Sequence, residues 1–125
     1  MMIQTLSFIN KMMEILGLNY EFDEWKSEPI PQTYWVGEYN ENGDEDDASE
    51  GTTFILTGTT MKSRLVLEEQ KEMIQNYIKN GITAILEDGS GIAVLYLNGF
   101  GIPSAVEGIK RIQINLKIKE WKVNW

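Results

Sequence analysis

The sequence predicts an α+β fold: a mostly antiparallel sheet of about five strands, with two helices packed on one face. Three observations predict it. Two segments repeat apolar residues at helical spacing, five segments are rich in β-branched and aromatic residues, and a tight-turn signal separates two of those five. The 125 residues suit a single domain, which we expect to span residues 1–125.

The first helix is predicted by apolar residues at alternating spacings of four and three: Met2, Leu6, Ile9, Met13 and Leu16. Gly17 follows as a natural C-terminal stop. Residues 18–32 are expected to be a connector, because Pro29 and Pro31 force the residues before them into extended conformations. Three aromatic side chains are expected to attach this connector to the rest of the domain: Tyr20, Phe22 and Trp25.

The remaining elements follow in the order strand, strand, helix, strand, strand, strand. The first two strands are "TYWVGEYN" and "TTFILTGTT". A helix lies within residues 61–81 and ends at Asn80-Gly81, although "RLVL" at its start could still be extended. The segments "ITAILE" and "GIAVLYLNG" flank "DGS", which predicts a β-hairpin because Asp-Gly accepts the positive φ of a tight turn.

The last strand changes phase near its end. Its apolar residues are first even-numbered and then odd-numbered: Ile112, Ile114, Leu116 and Ile118, then Trp121, Val123 and Trp125. One extra residue would restore a single apolar side, so the pattern predicts a β-bulge at Lys119-Glu120, with Trp121 inside the monomer.

An acidic loop is predicted at about residues 40–51, between the first two strands. Six of the ten residues from 41 to 50 are acidic, and without them the net charge of −8 would be −2. We expect this loop to be flexible and outside the core, so that deleting Asp44 to Ser49 lowers the melting temperature by only a few degrees. Its spacing does not match an EF-hand, and whether it binds cations or a partner stays open.

Composition excludes several functional classes. The chain has no cysteine and no histidine, so the Ser-His-Asp and Cys-His nucleophile systems cannot form. The acidic residues crowd one loop instead of facing each other across a cleft, so we expect no enzyme, no cofactor and no metal site. Nucleic acid is not expected as a ligand because the chain is acidic. No segment approaches the roughly 20 apolar residues of a membrane span, which predicts a cytoplasmic protein.

The order of elements resembles that of the tail terminator (tail-completion) proteins of long-tailed bacteriophages, which are close to other head–tail joining proteins. Three stretches carry the resemblance: "YWVGEYNE", "TTFILTGTTMKSRLVLEEQKEMIQNYIKNG" and "GIKRIQINLKIKEW". The resemblance implies a structural protein that forms a six-membered ring, caps the tail tube and meets the head connector. It also implies assembly in the host bacterial cytoplasm and a place in the virion neck or tail.

Charge separation suggests how copies could associate. Residues 109–125 carry a net charge of +4, whereas the acidic loop carries −6. Opposite patches on one chain can pair head to tail, and such contacts close into rings when the rotation permits. The candidate assembly surface comprises eight residues: Lys117, Lys119, Lys122, Trp125, Asp44, Glu45, Asp46 and Asp47.

Three alternatives stay open for this surface. The basic face of the strand could be merely solvated, or the loop could fold back on it within one chain. The protein could also be a small acidic inhibitor or immunity-type protein that presents the loop to a basic partner.

Overall fold

A computed structural model describes residues 1–44 and 49–123. In these residues two helices and six strands follow one another: α1 (Ile3–Ile15), β1 (Tyr20–Phe22), β2 (Thr33–Asp44), β3 (Glu50–Thr60), α2 (Arg64–Ile78), β4 (Ile82–Ile85), β5 (Gly91–Ile102) and β6 (Lys110–Trp121). The strands form one sheet in the order β1-β2-β3-β6-β5-β4, and only β1 and β2 run parallel. The predicted α+β class and mostly antiparallel sheet are confirmed, with six strands instead of about five.

The additional strand is β1, which lies inside the predicted connector. It pairs in parallel with β2, Tyr20 opposite Trp35 and Phe22 opposite Gly37. Tyr20 and Phe22 pack against the hydrophobic core, so these aromatic residues do attach the segment to the domain. Three residues are too few to show an alternating pattern, which is why the sequence did not reveal this strand.

Helix α1 ends at a glycine, as its sequence predicts. Gly17 has a φ of 71°, and its backbone N–H donates to the carbonyl of Glu14, while that of Leu18 donates to the carbonyl of Met13. These two hydrogen bonds form a Schellman motif, which satisfies carbonyl groups that the helix leaves unpaired. The helix buries four side chains against the sheet: Thr5, Ile9, Met12 and Met13.

Helix α2 begins at Arg64, so "RLVL" is helical. The Ser63 hydroxyl accepts a hydrogen bond of 3.2 Å from the backbone N–H of Leu65 and caps the helix. The helix buries Leu67, Ile74 and Ile78 in the same core that α1 contacts. Both helices therefore lie on one side of the sheet, which we call the covered face.

Trp35 of β2 lies between the sheet and α2, and a glycine on the neighbouring strand makes room for its ring. Trp35 on β2 is fully buried and pairs with Gly58 on β3. A Cβ atom on Gly58 would lie 2.8 Å from the Trp35 ring, so only glycine leaves room for that ring. The Trp35 indole N–H then donates a hydrogen bond of 2.7 Å to Gln70 of α2.

The end of β6 differs from the prediction. Pairing with β3 continues without a shift through Lys119 opposite Gly51 and Glu120 opposite Glu50. The prediction of a β-bulge at Lys119-Glu120 is therefore wrong. The even-numbered side stays on the covered face to the end of the strand, and its last member is Glu120, which is 1% exposed. The apolar pattern breaks because a buried glutamate occupies that position.

The β4–β5 hairpin confirms the Asp-Gly turn. Gly89 has a φ of 90°, and its N–H donates to the carbonyl of Leu86. The sheet has a register shift further along β5, where Tyr96 pairs with Leu116 and Asn98 with Asn115, which leaves Leu97 as an extra residue. Neither helix in the described residues is long and apolar enough to cross a lipid bilayer.

Candidate assembly surface

The side of the sheet opposite the helices, which we call the open face, carries the basic residues of β6. Its β6 residues are the odd-numbered ones: Arg111, Gln113, Asn115, Lys117, Lys119 and Trp121. The first five are half-buried by their neighbours on the sheet and not by a helix. Because successive side chains of a strand alternate between faces, one strand supplies both the apolar core and this polar row.

Hydrogen bonds join the middle of this row. The Gln113 amide donates to Asn115, and the Asn115 amide donates to Asn98 on β5, each at 2.9 Å. Thr53, opposite Lys117 on β3, accepts a hydrogen bond of 3.0 Å from Asn42. Polar side chains of the open face thus hold one another in place within two pairs of neighbouring strands, β5 with β6 and β2 with β3.

Glu120 joins the end of β6 to the start of α1. Its Oε2 accepts a hydrogen bond of 2.9 Å from the backbone N–H of Met2 and another from the hydroxyl of Thr5. The other oxygen, Oε1, has no hydrogen-bond partner among the described residues. Met2, the N-cap residue of α1, has no side chain that can cap, so the carboxyl group of Glu120 supplies the cap from another strand.

Strands β2 and β3 form a hairpin that carries the acidic residues from 41 to 50, and we call it the acidic hairpin. Two ion pairs within the chain hold its acidic segment at residues 41 and 50. The amino terminus of Met1 contacts Glu41 at 2.8 Å, and Lys122 contacts Glu50 at 3.0 Å. The hydrogen bond from the amino terminus lowers the pKa of Glu41, and the hydrogen bond to Glu50 raises the pKa of Lys122. Two of the six acidic residues, and one of the predicted assembly lysines, therefore pair within one chain.

The structure brings together part of the predicted surface. Lys117 and Lys119 share the open face of β6, and Lys122 lies just beyond the strand. Asp44 is the last residue of β2, so the strands run further into the acidic segment than the sequence predicts. The predicted residues Glu45, Asp46, Asp47 and Trp125 lie outside the described residues.

Trp121 is not inside the monomer, contrary to the prediction. It is 36% exposed on the open face, where it lines a shallow depression with Ile85 of β4 and Gly91 of β5. Trp121 is odd-numbered, like Lys117 and Lys119, so its side chain lies on the same face of β6 as theirs.

A larger cleft of about 700 Å³ lies at the other end of the open face. The Trp25 ring packs on Tyr34 at one side, and Arg111 and Glu38 contribute opposite charges to the lining. The described residues contain no group of three or more acidic side chains placed to hold a metal ion.

Both edges of the sheet are covered over only part of their length. On one side β1 pairs with Trp35–Gly37 of β2, which leaves residues 38–44 of β2 unpaired on that side as far as the structure describes the chain. On the other side β4 pairs with residues 91–94 of β5, which leaves residues 95–102 of β5 unpaired on that side within the described chain. We call these two stretches the open edge of β2 and the open edge of β5.

Comparison with known proteins gives a match at the level of the fold. No protein-family model and no curated protein sequence matches the chain. Among solved structures, the chain is similar to a chain from the virion of a native gene transfer agent particle, with a TM-score of 0.59 and 11% sequence identity. The similarity covers 89% of this chain and 84% of the other, so the two share nearly the whole domain fold.

Proposed function

We propose that the protein is a non-catalytic structural subunit of a phage-like particle, and that it forms a tail terminator-like ring. In this role the ring caps the tail tube and joins it to the head connector. The observation that carries the proposal is the similarity of fold, over nearly the whole domain, to a protein of a gene transfer agent virion. The element order that resembles the tail terminators supports the same conclusion from the sequence.

The placement of charge supports an assembly role. The covered face holds a continuous apolar core, so the monomer can fold by itself, whereas the open face presents a polar and basic row without a helix above it. Rings form when a surface of one copy fits a different surface of the next. The open face and the two open edges provide such surfaces.

A non-catalytic role is supported by the residues themselves. The chain lacks histidine and cysteine, which supply most acid–base and nucleophilic groups at neutral pH. Glu41 and Glu50, at the base of the acidic hairpin, are engaged in ion pairs within the chain. Their contacts are those of groups that hold the hairpin in place.

Solution mass tests the ring. Six copies of the 14.3 kDa chain give about 86 kDa, and light scattering over a range of protein and salt concentrations separates this mass from a monomer. Negative-stain images of the large species should show closed rings. A 14.3 kDa monomer under all conditions would overturn the proposal and favour the acidic inhibitor.

A second experiment tests the place in the particle. Disruption of the gene in a strain that produces the particle should leave heads and tails unjoined, and a plasmid copy should restore joining. Abnormally long tails would point to tail termination, whereas tails of normal length that do not attach would point to another head–tail joining role. Normal particles without the protein would contradict both.

A further inference from the structure

We infer that the sheet continues from one copy of the chain to the next, with the open edge of β5 paired antiparallel to the open edge of β2 of a second copy. The inference rests on the proposed ring and specifies the contact that builds it. The second strand is assigned to another copy because the chain itself carries two open edges of similar length, residues 38–44 and residues 95–102.

The directions of the two strands suit this pairing. Going across the sheet from β2 to β3, β6 and β5, each neighbour is antiparallel to the last, so β2 and β5 run in opposite directions. When a second copy stands beside the first in the same orientation, its β2 is therefore antiparallel to β5. Antiparallel strands pair without further rearrangement.

The faces also match. Beyond the extra residue Leu97, Gly99 and Gly101 lie on the covered face, because they pair with the buried Ile114 and Ile112 of β6. Phe100 and Ile102 lie on the open face. On β2, Tyr39 and Glu41 share the covered side of Trp35, and Asn40 lies opposite Thr53 on the open face.

If Asn40 of one copy lies opposite Phe100 of the next, the covered faces of the two copies join and so do their open faces. A slip of one residue would reverse every side chain, so only registers that differ by two residues are allowed. In the register proposed, Gly99 and Gly101 stand opposite Glu41 and Tyr39 of the next copy. Side chains of Tyr96, Lys71 and Arg64 lie over these two glycines on the covered face, so they are the groups that Glu41 and Tyr39 would meet.

The charged side chains near this register have partners within their own chain. Lys71 of α2 lies beside Gly99, where its side chain would contact a Cβ atom at 3.2 Å, and it pairs with Glu68 at 2.9 Å. Glu41 of the next copy would stand opposite that glycine and keeps its ion pair with the amino terminus of Met1. Asp44 of that copy would stand at the level of Tyr96 on β5.

The two open edges lie at different heights, which suits a ring. Asn40 is level with Lys117 of β6, whereas Phe100 is level with Gln113, an offset of four residues. At about 3.3 Å per residue this is ~13 Å, against ~19 Å for the width of four strands. If neighbouring copies stand at the same height along the ring axis, the strands must tilt by ~35° from that axis, as strands do in closed β-barrels.

The open edge of β5 lacks most features that keep sheet edges apart. Residues 95–102 contain no charged residue and no proline, and their one irregularity is the bulge at Leu97. Leu97 and Phe100 are about half exposed, at 49% and 48%. Arg64 and Lys71 of α2 lie over Gly101 and Gly99 on the covered face, but the backbone groups along the edge remain available to a strand of another copy.

Engineered disulfides test the pairing, because the chain has no cysteine of its own. Purified Asn40→Cys and Phe100→Cys proteins are mixed and oxidised, and Phe100→Cys is also mixed with Glu38→Cys and Asn42→Cys to cover the neighbouring registers. We expect one mixture to crosslink about tenfold or more faster than the others, since pairing holds the two thiols at a high effective concentration. The doubly substituted chain should give a ladder that ends at six copies.

Two controls make the test specific. Asn40→Cys mixed with Ile85→Cys, an exposed position on β4, should crosslink only at the background rate. Rapid crosslinking of Phe100→Cys with itself would reveal a two-fold β5–β5 contact and overturn the pairing with β2.

Charge insertion provides an independent measurement. Leu97→Lys with Phe100→Lys should abolish the 86 kDa species and leave a folded monomer, because lysine on an edge strand opposes pairing. The matched control, Ile15→Lys with Leu65→Lys, makes the same change at exposed helix positions and should keep the ring.

The outcomes separate the two proposals. A wild-type ring that crosslinks in none of the three registers, or that survives the edge lysines, would overturn edge pairing and leave the ring standing. A wild type that stays monomeric at every concentration would overturn the ring and the edge pairing together.

Discussion

The two sides of β6 differ in both burial and polarity. The even-numbered side, from Ile112 to Ile118, is fully buried under both helices, and Glu120 ends it. The odd-numbered side, from Arg111 to Trp121, is polar and half exposed. The same twelve residues therefore provide the centre of the core and the candidate assembly surface. Mutations on the two sides should separate folding from assembly.

The largest expected effect is on the covered side. Leu116→Ala removes a fully buried side chain from the strand between β3 and β5, and a core truncation of this kind lowers the free energy of unfolding by about 2–5 kcal/mol. Chemical denaturation monitored by tryptophan fluorescence measures it. Asn115→Ala, the adjacent position on the open face, should cost about 0.5–1.5 kcal/mol through its lost hydrogen bonds. Equal losses at both positions would contradict the division between the two sides.

Two glycines, on the strands either side of β6, test the same division between the covered and open faces. Gly58→Ala places a methyl group 2.8 Å from the buried Trp35 ring, and such overpacking costs about 1–3 kcal/mol. Gly91→Ala on the open face places it 3.7 Å from Trp121, an ordinary contact, so the free energy of unfolding should change by less than about 0.5 kcal/mol. Thermal unfolding of both variants measures the difference. A Gly58→Ala protein as stable as the wild type would show that the Trp35 ring can move.

The fold was predictable where the pattern was long. Helix α1, the Asp-Gly hairpin and the alternation of β6 each repeat a local signal several times, and the structure contains all three. Strand β1 was missed because three residues carry no period and its partner is parallel. The irregularity predicted in β6 is absent from its pairing with β3, and register shifts occur instead in β2, between Glu41 and Gly43, and in β5, where the uninterrupted run "IAVLYL" conceals the change of side at Leu97.

The candidate site was less predictable, because it depends on pairing between distant strands. The alternation placed Lys117 and Lys119 on one side, but nothing local indicated that Glu120 would meet the start of α1, 118 residues away from Met2. The open edge of β5 had one signal in the sequence. The predicted strand "ITAILE" is shorter than its hairpin partner "GIAVLYLNG", and a short strand cannot cover a long one.

Glu120 is a buried charged residue at the end of the apolar side of β6, and substitutions there test what it contributes to stability. Glu120→Ala removes the acceptor for the Met2 backbone N–H and the Thr5 hydroxyl, and loss of a helix cap costs about 0.5–2 kcal/mol. Glu120→Gln keeps an acceptor oxygen and should lose less. Denaturation midpoints of the two variants, compared with wild type, measure both changes. If Glu120→Leu were more stable than wild type, burial of an apolar group would matter more at this position than the cap.

The smallest effect on folding is expected on the open face, where assembly should respond instead. Lys117→Glu with Lys119→Glu changes two half-exposed residues and should alter the free energy of unfolding of the monomer by about 0.5 kcal/mol or less. The same double reversal should weaken self-association, because it removes the positive end of the acid–base contact between copies, and added salt should weaken wild-type association in the same direction.

The control for this charge reversal is Lys11→Glu with Lys62→Glu, which makes the same change in net charge at exposed positions away from β6. Light scattering at equal protein concentration compares the three proteins. If both double reversals weaken association equally, net charge and not the basic row is responsible. If the β6 reversal assembles as well as wild type, the basic row is not part of the interface. The sheet edges would then have to hold the copies together without it.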